Sequence, residues 1–429
     1  MKMDGETSMK VLWLINIPLP EASHLLHESS TPYGGWLVNT SKYLSNLDEV
    51  KLSVAFPSKQ AKRVKRLEGD KIIYYPFSPI KKVSDPSIQD HQRFAAILQE
   101  VSPDLVHIFG TEMPHTLAMV NACRRQGVKT VVSIQGLVSV IEKHTFAGLP
   151  QDAIHNKTFR NWVRHDHVSG LRKTFQVRGE AEREAIRKVD HVIGRTTWDR
   201  ACVSQINDQA TYFHCNETLR ESFYHETWER EKCEPHSIFL SQGQYSIKGL
   251  HFMLEAMPLI LQRYPDARLY IGGSDLTDRS GWKNKLFATH YGNYIQSLID
   301  QYNLSEHISF TGTLDEQAMC QRYLESHVFV CPSTIENSPN SLAEAMLLGV
   351  PSVASYVGGT SDMLADKKEG FLYQHDAPYM LAYYVCKIFE DDALAKNLSA
   401  AAQRRAKVTH DQELNLQRLL QIYHDMLTP

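Results

Sequence analysis

The feature that most narrows what this chain can fold into is an alternation that runs along it twice. Short, nearly continuous apolar segments take turns with longer amphipathic ones. In the first half the short segments are Lys10–Ile15, Leu52–Phe56, Lys71–Tyr75, Leu105–Phe109, Thr130–Ile134 and His191–Gly194. In the second half they are Ser237–Ser241, Ala267–Ile271, Ile308–Thr311, Val328–Cys331 and Ser352–Ser355. Helical periodicity fills many of the intervals, as at Leu37–Leu44, Gln89–Gln99, Thr116–Gln126, Leu250–Arg263 and Leu342–Leu348. A strand that is apolar throughout is buried on both faces, which is the situation in a parallel sheet covered by crossover helices. The pattern lapses near Tyr212–Glu234, where charged residues are dense, and then resumes. It predicts an α/β protein of two doubly wound, Rossmann-like domains with parallel sheets facing across a cleft, residues 9–216 and 217–412.

The size of the chain agrees with this. At 429 residues it fits two domains of roughly 200 residues each. Lys and Arg number 46 against 49 Asp and Glu, a formal charge of −3, so bulk electrostatics give no sign of a nucleic-acid partner. No apolar run approaches the ~20 residues that span a bilayer. The apolar stretch near the start is short and lacks a small-residue cleavage site. It reads as a buried first strand after a disordered leader, in a cytoplasmic protein. The seven cysteines are scattered and never form C-x-x-C, which argues against a disulfide framework or a zinc site. With no HExxH, no G-x-G-x-x-G after a strand and no G-x4-G-K-[ST], metalloprotease, dinucleotide oxidoreductase and P-loop chemistry are disfavoured.

The most informative stretch is Val328-Phe-Val-Cys-Pro-Ser-Thr-Ile-Glu336-Asn-Ser-Pro-Asn-Ser-Leu-Ala-Glu344-Ala-Met-Leu-Leu-Gly-Val-Pro351. It reads as buried strand, polar loop, and a helix capped near Ser338 or Asn340 with Pro339 beside its first turn. Glu336 falls in the loop at the carboxyl end of the strand, and Glu344 about a turn into the helix. A carboxylate accepts two hydrogen bonds, so each suits a vicinal diol. The helix start between them, at Ser338, Asn340 and Ser341, offers amides to a phosphate. The plainer alternative is a helix N-terminus decorated with favourable acids.

The run Ile308–Tyr373 resembles the donor-binding half of retaining glycosyltransferase family four (group 1), which has the GT-B fold. The resemblance rests on E-x7-E, matched by Glu336 and Glu344, and on their P-S-x-x-E-x-x-P and E-A-M-x-x-G-x-P surroundings. It implies that Glu336 contacts the donor sugar and Glu344 the ribose. Phe310-Thr-Gly-Thr-Leu314 resembles the segment whose backbone lies beside the nucleobase, implicating Thr313 and Leu314. Val357-Gly-Gly-Thr360 resembles the loop after the next strand. The final helix, residues 413–429, would by analogy return to the first domain.

A second match is Ser237-Ile-Phe-Leu-Ser-Gln-Gly-Gln244-Tyr-Ser-Ile-Lys248-Gly249. Departure of a nucleoside diphosphate builds negative charge that a cation must offset, and Lys248 is the candidate. Where the family usually carries an arginine a few residues earlier, this chain has Gln244, and Arg195 is a candidate substitute from the other domain. Tyr33-Gly34-Gly35-Trp36 resembles the family's glycine loop near donor phosphate or acceptor; a turn needing positive φ is the plainer reading. Asp104-Leu-Val-His107 resembles the D-[IV]-[IV]-H strand. Gln135 stands where many relatives have a histidine that contacts the donor sugar, and an amide can only hydrogen-bond. Glu112, His115 and His144 are the groups that could compensate by position. Tyr212–Phe223 resembles the family's hinge.

The resemblance therefore implies a retaining, metal-independent transfer of a sugar from a nucleotide-sugar, UDP-sugar favoured, to a glycan or lipid-linked acceptor, with no cofactor. The departing phosphate oxygen would take the acceptor proton. Basic residues in Lys59–Lys71 and Asn156–Arg178 suit peripheral contact with an anionic membrane, or simply a solvated face. Gln135 and Gln244 support a rival reading, a non-catalytic nucleotide-sugar-binding scaffold subunit.

Overall fold

A computed structural model describes residues 8–28, 34–80, 88–155, 168–278 and 289–428. Residues 1–7 of the expected leader, Tyr33 of the glycine loop and residues 156–167 of the second basic stretch lie outside them.

The chain divides into two compact units. The first comprises residues 1–139, 176–218 and 411–429; the second comprises residues 140–175 and 219–410. The division at 218/219 falls two residues beyond the expected one, and the last helix groups with the first unit. Residues 140–175, expected in the first domain, group with the second instead.

The sheet of the first unit is built from β1 (Met9–Leu14), β2 (Val50–Pro57), β3 (Leu67–Glu68), β4 (Ile73–Phe77), β5 (Leu105–Phe109), β6 (Lys129–Ser133), β7 (His191–Gly194) and β8 (Thr211–His214). Its order is β3-β4-β2-β1-β5-β6-β7-β8, and every pairing is parallel except β3 with β4. The second sheet is built from β9 (Glu234–Leu240), β10 (Arg268–Ile271), β11 (Ile308–Phe310), β12 (Ser326–Cys331), β13 (Ser352–Ser355) and β14 (Phe371–Tyr373). It is wholly parallel in the order β11-β10-β9-β12-β13-β14.

The apolar strands are buried as their patterns require. Residues Val11–Leu14 of β1 and all of β5 and β12 are buried. The first core gathers Trp13, Phe109 and Val131 with Leu419, Ile422 and Tyr423 from the last helix, Gln412–Leu427. The second centres on Phe239, Phe329 and Tyr323. Each sheet reverses its winding once, between β1 and β5 in the first and between β9 and β12 in the second. At such a reversal the connections leave in opposite directions, opening a crevice at the carboxyl ends of the two strands. Among the described residues no helix is long and apolar enough to cross a membrane.

Candidate donor and acceptor sites

The crevice of the second unit is bounded by the loops after β9 and β12, and these carry Lys248 and Glu336. Lys248 ends a short 3-10 turn, Ser246–Lys248, and Gly249 follows with φ +72°. A side chain there would collide with the Pro332 carbonyl, since its Cβ would lie 1.8 Å from that oxygen. Only glycine lets the first loop press this closely on the second. The Thr334 amide also donates to the Ile247 carbonyl at 2.8 Å. Held in this way, the Lys248 ammonium donates to Glu336 Oε1 at 2.6 Å, and the Ser333 hydroxyl donates to the same oxygen at 2.7 Å. Burial disfavours the charged form of Lys248, but the Glu336 carboxylate outweighs it and holds the ammonium above its ordinary range.

The loop bearing Glu336 is braced from behind. Ser355 Oγ donates to the Ser333 carbonyl at 2.6 Å, Thr360 Oγ1 to the Ser355 carbonyl at 2.7 Å, and the Gly359 amide to the Glu336 carbonyl at 3.0 Å. The glycine loop after β13 thus supports Glu336 through its backbone.

The helix after this loop runs Asn340–Leu348, and its cap position is Pro339, not Ser338 or Asn340 as the sequence suggested. Proline suits that place because its fixed φ matches the extended backbone needed there, here φ −68° and ψ 114°. Ser338, Asn340 and Ser341 are half-buried around the first turn. Glu344, one turn on, is buried, and it does not point into an empty space. Arg220 grips it with two parallel bonds, Nε to Oε1 and Nη2 to Oε2, both 2.8 Å. Burial pushes the Glu344 carboxyl above its ordinary range, and Arg220 pulls it back. The sequence reading missed Arg220. Its one signal was a charged side chain inside the hinge-like run Tyr212–Phe223.

Other expected donor residues lie further out. Gln244 is half-buried in the loop after β9, beside Gly273. Thr313 is exposed and Leu314 half-buried, on the loop after the edge strand β11, with β10 standing between β11 and β9. The regrouped segment brings His144 to the second unit. The His144 carbonyl accepts from Thr334 Oγ1 at 3.3 Å, and the Thr145 carbonyl accepts from Ser246 Oγ at 2.9 Å. Backbone of this segment therefore props both loops of the crevice.

In the first unit, Gly34 is left-handed (φ +77°) and caps the helix Gly35–Ser45. Its glycine answers first to that turn, which is the plainer of the two expected readings. Gln135 follows β6, and its Nε2 donates to Glu217 Oε1 at 2.6 Å. Arg195 Nη1 lies 2.7 Å from Glu217 Oε2, with only 5% of its side chain exposed. Arg195, offered as a substitute cation for the donor, is thus an internal partner of Glu217 within its own unit. His107 is a core residue, bonded at 2.6 Å through each ring nitrogen to Tyr423 and Ser133 and pushed down to about 3 by burial. His115, likewise pushed down to about 3 by burial, bonds Asn16 at 2.8 Å across the reversal between β1 and β5. Glu112 follows β5; its Oε2 is shut away from solvent with no hydrogen-bond partner among the described residues, and burial pushes the carboxyl up to about 7.

Residues 224–405 match the family model described as glycosyl transferases group 1. The protein YtcC of Bacillus subtilis is 26% identical over 217 residues, 49% of this chain and 51% of its own length. The phosphatidyl-myo-inositol mannosyltransferase of Mycobacterium tuberculosis is 26% identical over 192 residues, 43% of this chain and 46% of its own. The chain spans about half the length of the curated relatives it matches. Among solved structures, the sucrose-phosphate synthase of Thermosynechococcus elongatus superposes with a TM-score of 0.71 at 16% identity, covering 97% of this chain and 99% of its own. HepE of Anabaena, solved with UDP-glucose, gives 0.65 at 16% identity, covering 97% and 100%. At such identities the likeness is one of fold, and that fold is GT-B.

Proposed function

We propose that this chain, which carries a group 1 glycosyl transferase domain over residues 224–405, transfers a sugar from a nucleotide-sugar to a hydroxyl acceptor with retention and without a metal. The observation that carries the reading is the meeting of Lys248 with Glu336 where the second sheet reverses, in the loop that leads into the helix bearing the buried Glu344. Glu336 would hold the donor sugar, Glu344 the ribose, and Lys248 the diphosphate as its charge grows. The amides at Asn340 and Ser341 would add hydrogen bonds to phosphate, and Gln244 a neutral one. Because Lys248 is paired with Glu336, donor binding would engage two side chains that already hold each other in position, not recruit two loose ones.

Thr313 and Leu314 would flank the base, and UDP is the favoured nucleotide, in keeping with the ligand named for HepE. The acceptor, a glycan or a lipid-linked sugar, would be held by the first unit near Gly35 and Gln135. The departing phosphate oxygen would take its proton. A cytoplasmic setting with peripheral membrane contact belongs to the same proposal. It rests on the exposed Lys59, Lys62, Arg63 and Lys65.

The test is a thermal-shift panel of UDP, GDP, ADP and their common sugars, with and without magnesium, on the wild type and Glu344→Ala. The expected outcome is a magnesium-independent shift by one nucleotide class that the variant loses. No shift from any nucleotide on folded protein overturns the reading. The engagement of Gln135 and Arg195 by Glu217 favours the second reading, a nucleotide-sugar-binding scaffold. Turnover by the purified chain alone dismisses that one.

A further inference from the structure

We propose that Arg220 is a positioning residue for donor recognition, holding the Glu344 carboxylate in one orientation so that its remaining lone pairs meet the 2′- and 3′-hydroxyls of a ribonucleotide. This rests on the reading of Glu344 as the ribose carboxylate.

The argument begins with burial. Glu344 sits in the helix Asn340–Leu348 with 9% of its side chain exposed. A carboxyl in such a place tends to take up a proton unless a partner opposes it, and a protonated carboxyl offers a diol fewer acceptors. The groups that face it come from two elements. From the segment after the unit boundary comes Arg220; from the helix Glu316–Leu324 come Glu316, Cys320 and Tyr323.

Only one of the four can keep Glu344 charged. Glu316 repels it, although Glu316 is itself occupied by the Ser222 amide at 3.0 Å and hydroxyl at 2.7 Å. Burial keeps the Cys320 thiol and the Tyr323 phenol neutral by raising both, and the phenol donates to the Ser341 carbonyl at 3.0 Å. That leaves the guanidinium.

Arg220 is also fixed. Its Cζ lies 4.6 Å from the centre of the Phe223 ring, which in turn packs edge-on against Tyr323. Such stacking, added to the fork of two bonds, leaves the pair little rotational freedom. A carboxylate has about four acceptor sites. Two are taken by Arg220, one on each oxygen, so each oxygen keeps a free site, and two sites side by side are what a cis-diol needs. The substrate class implied is a nucleotide with an intact ribose diol.

The experiment titrates UDP and 2′-deoxy-UDP into the full chain by calorimetry, from about pH 6 to about pH 8, on the wild type, Arg220→Met and Arg220→Lys. The wild type is expected to prefer UDP by about tenfold, the scale of a hydrogen bond to a charged group. Arg220→Met is expected to lose that preference and to bind UDP more tightly as pH rises, because its Glu344 must first shed a proton. Arg220→Lys retains charge but not the two-pronged contact, so its preference falls while its pH profile stays flat. Should Arg220→Met fail to fold, the lysine variant carries the test alone. Undiminished preference for UDP in the variants overturns the proposal and leaves the functional reading standing. A wild type that binds no nucleotide overturns both.

Discussion

The Nζ of Lys248 and Oε1 of Glu336 stand 2.6 Å apart although 88 positions separate them in the chain. They meet because β9 and β12 are neighbours where the sheet reverses, so that the loops leaving both strands open onto one crevice. Neither side chain stands free, and each offsets the charge of the other.

Replacing Lys248 with alanine should therefore act on chemistry and stability together. We expect a loss of about 10²–10³ in kcat/KM for UDP-sugar turnover, the usual size for one electrostatic contact to the departing group. We also expect a lower melting temperature, since among the described residues only Ser333 then remains as a side-chain partner of Glu336. Lys248→Arg should recover part of both. Initial rates of UDP release and thermal melts check this; full activity in the alanine variant would remove Lys248 from the mechanism.

Gly249→Ala should damage the crevice without touching a charged group. The backbone is left-handed there and the added methyl would overlap the Pro332 carbonyl. We expect destabilisation by about 3 kcal/mol or more, from strain and a displaced loop together. Urea unfolding measures it, and a change below about 1 kcal/mol would mean the two loops are not pressed together as described.

Glu112 gives a pH signature. Its carboxyl titrates near 7 in the folded chain, because burial raises it from the ordinary 4.5. Between those two values the folded state holds more protons than the unfolded one, so stability falls as pH rises through the window and levels off above about 7. The loss is on the order of 3 kcal/mol. Glu112→Gln should flatten that part of the profile. Melting temperatures of the two proteins across the window decide it, and parallel curves would count against a buried, titrating Glu112.

Glu217 joins Gln135 and Arg195 inside the first unit. Removing it in Glu217→Ala strands a buried guanidinium, which should cost about 3–5 kcal/mol. Glu217→Gln should cost less, since its amide oxygen can still accept from Arg195, although not from Gln135 as well. If calorimetric melts place the alanine variant within a degree of the wild type, the pairing carries no stability.

Much of this was legible in the sequence, for reasons that differ by element. The strands Leu105–Phe109, His191–Gly194 and Ser352–Ser355 fall where the apolar runs put them. Others were out of reach. Leu67–Glu68 is two residues among basic ones, Thr211–His214 is a half-exposed edge strand inside the charged stretch taken for a break, and Phe371–Tyr373 is only three residues long. Glu336, Glu344 and Lys248 were legible because each sits in a run of neighbours with its own pattern. Arg220 was not, because what gives it meaning is a partner 124 positions away. The regrouping of residues 140–175 is likewise tertiary: nothing local in that stretch says that its carbonyls will accept from Ser246 and Thr334.

The last helix has a consequence for the order in which the protein is made. Tyr423 accepts from the Trp13 indole at 3.0 Å and pairs with the His107 ring, and Lys129 donates to the Met426 carbonyl. The first unit's core is thus closed by residues that are synthesised after the whole of the second unit. During translation the amino-terminal sheet stands with one side of its core open, while the later-made unit already has every strand it needs. A chain stopped before Gln412 would leave the Trp13 indole without the Tyr423 hydroxyl that accepts from it, and the first unit's core without Leu419 and Ile422.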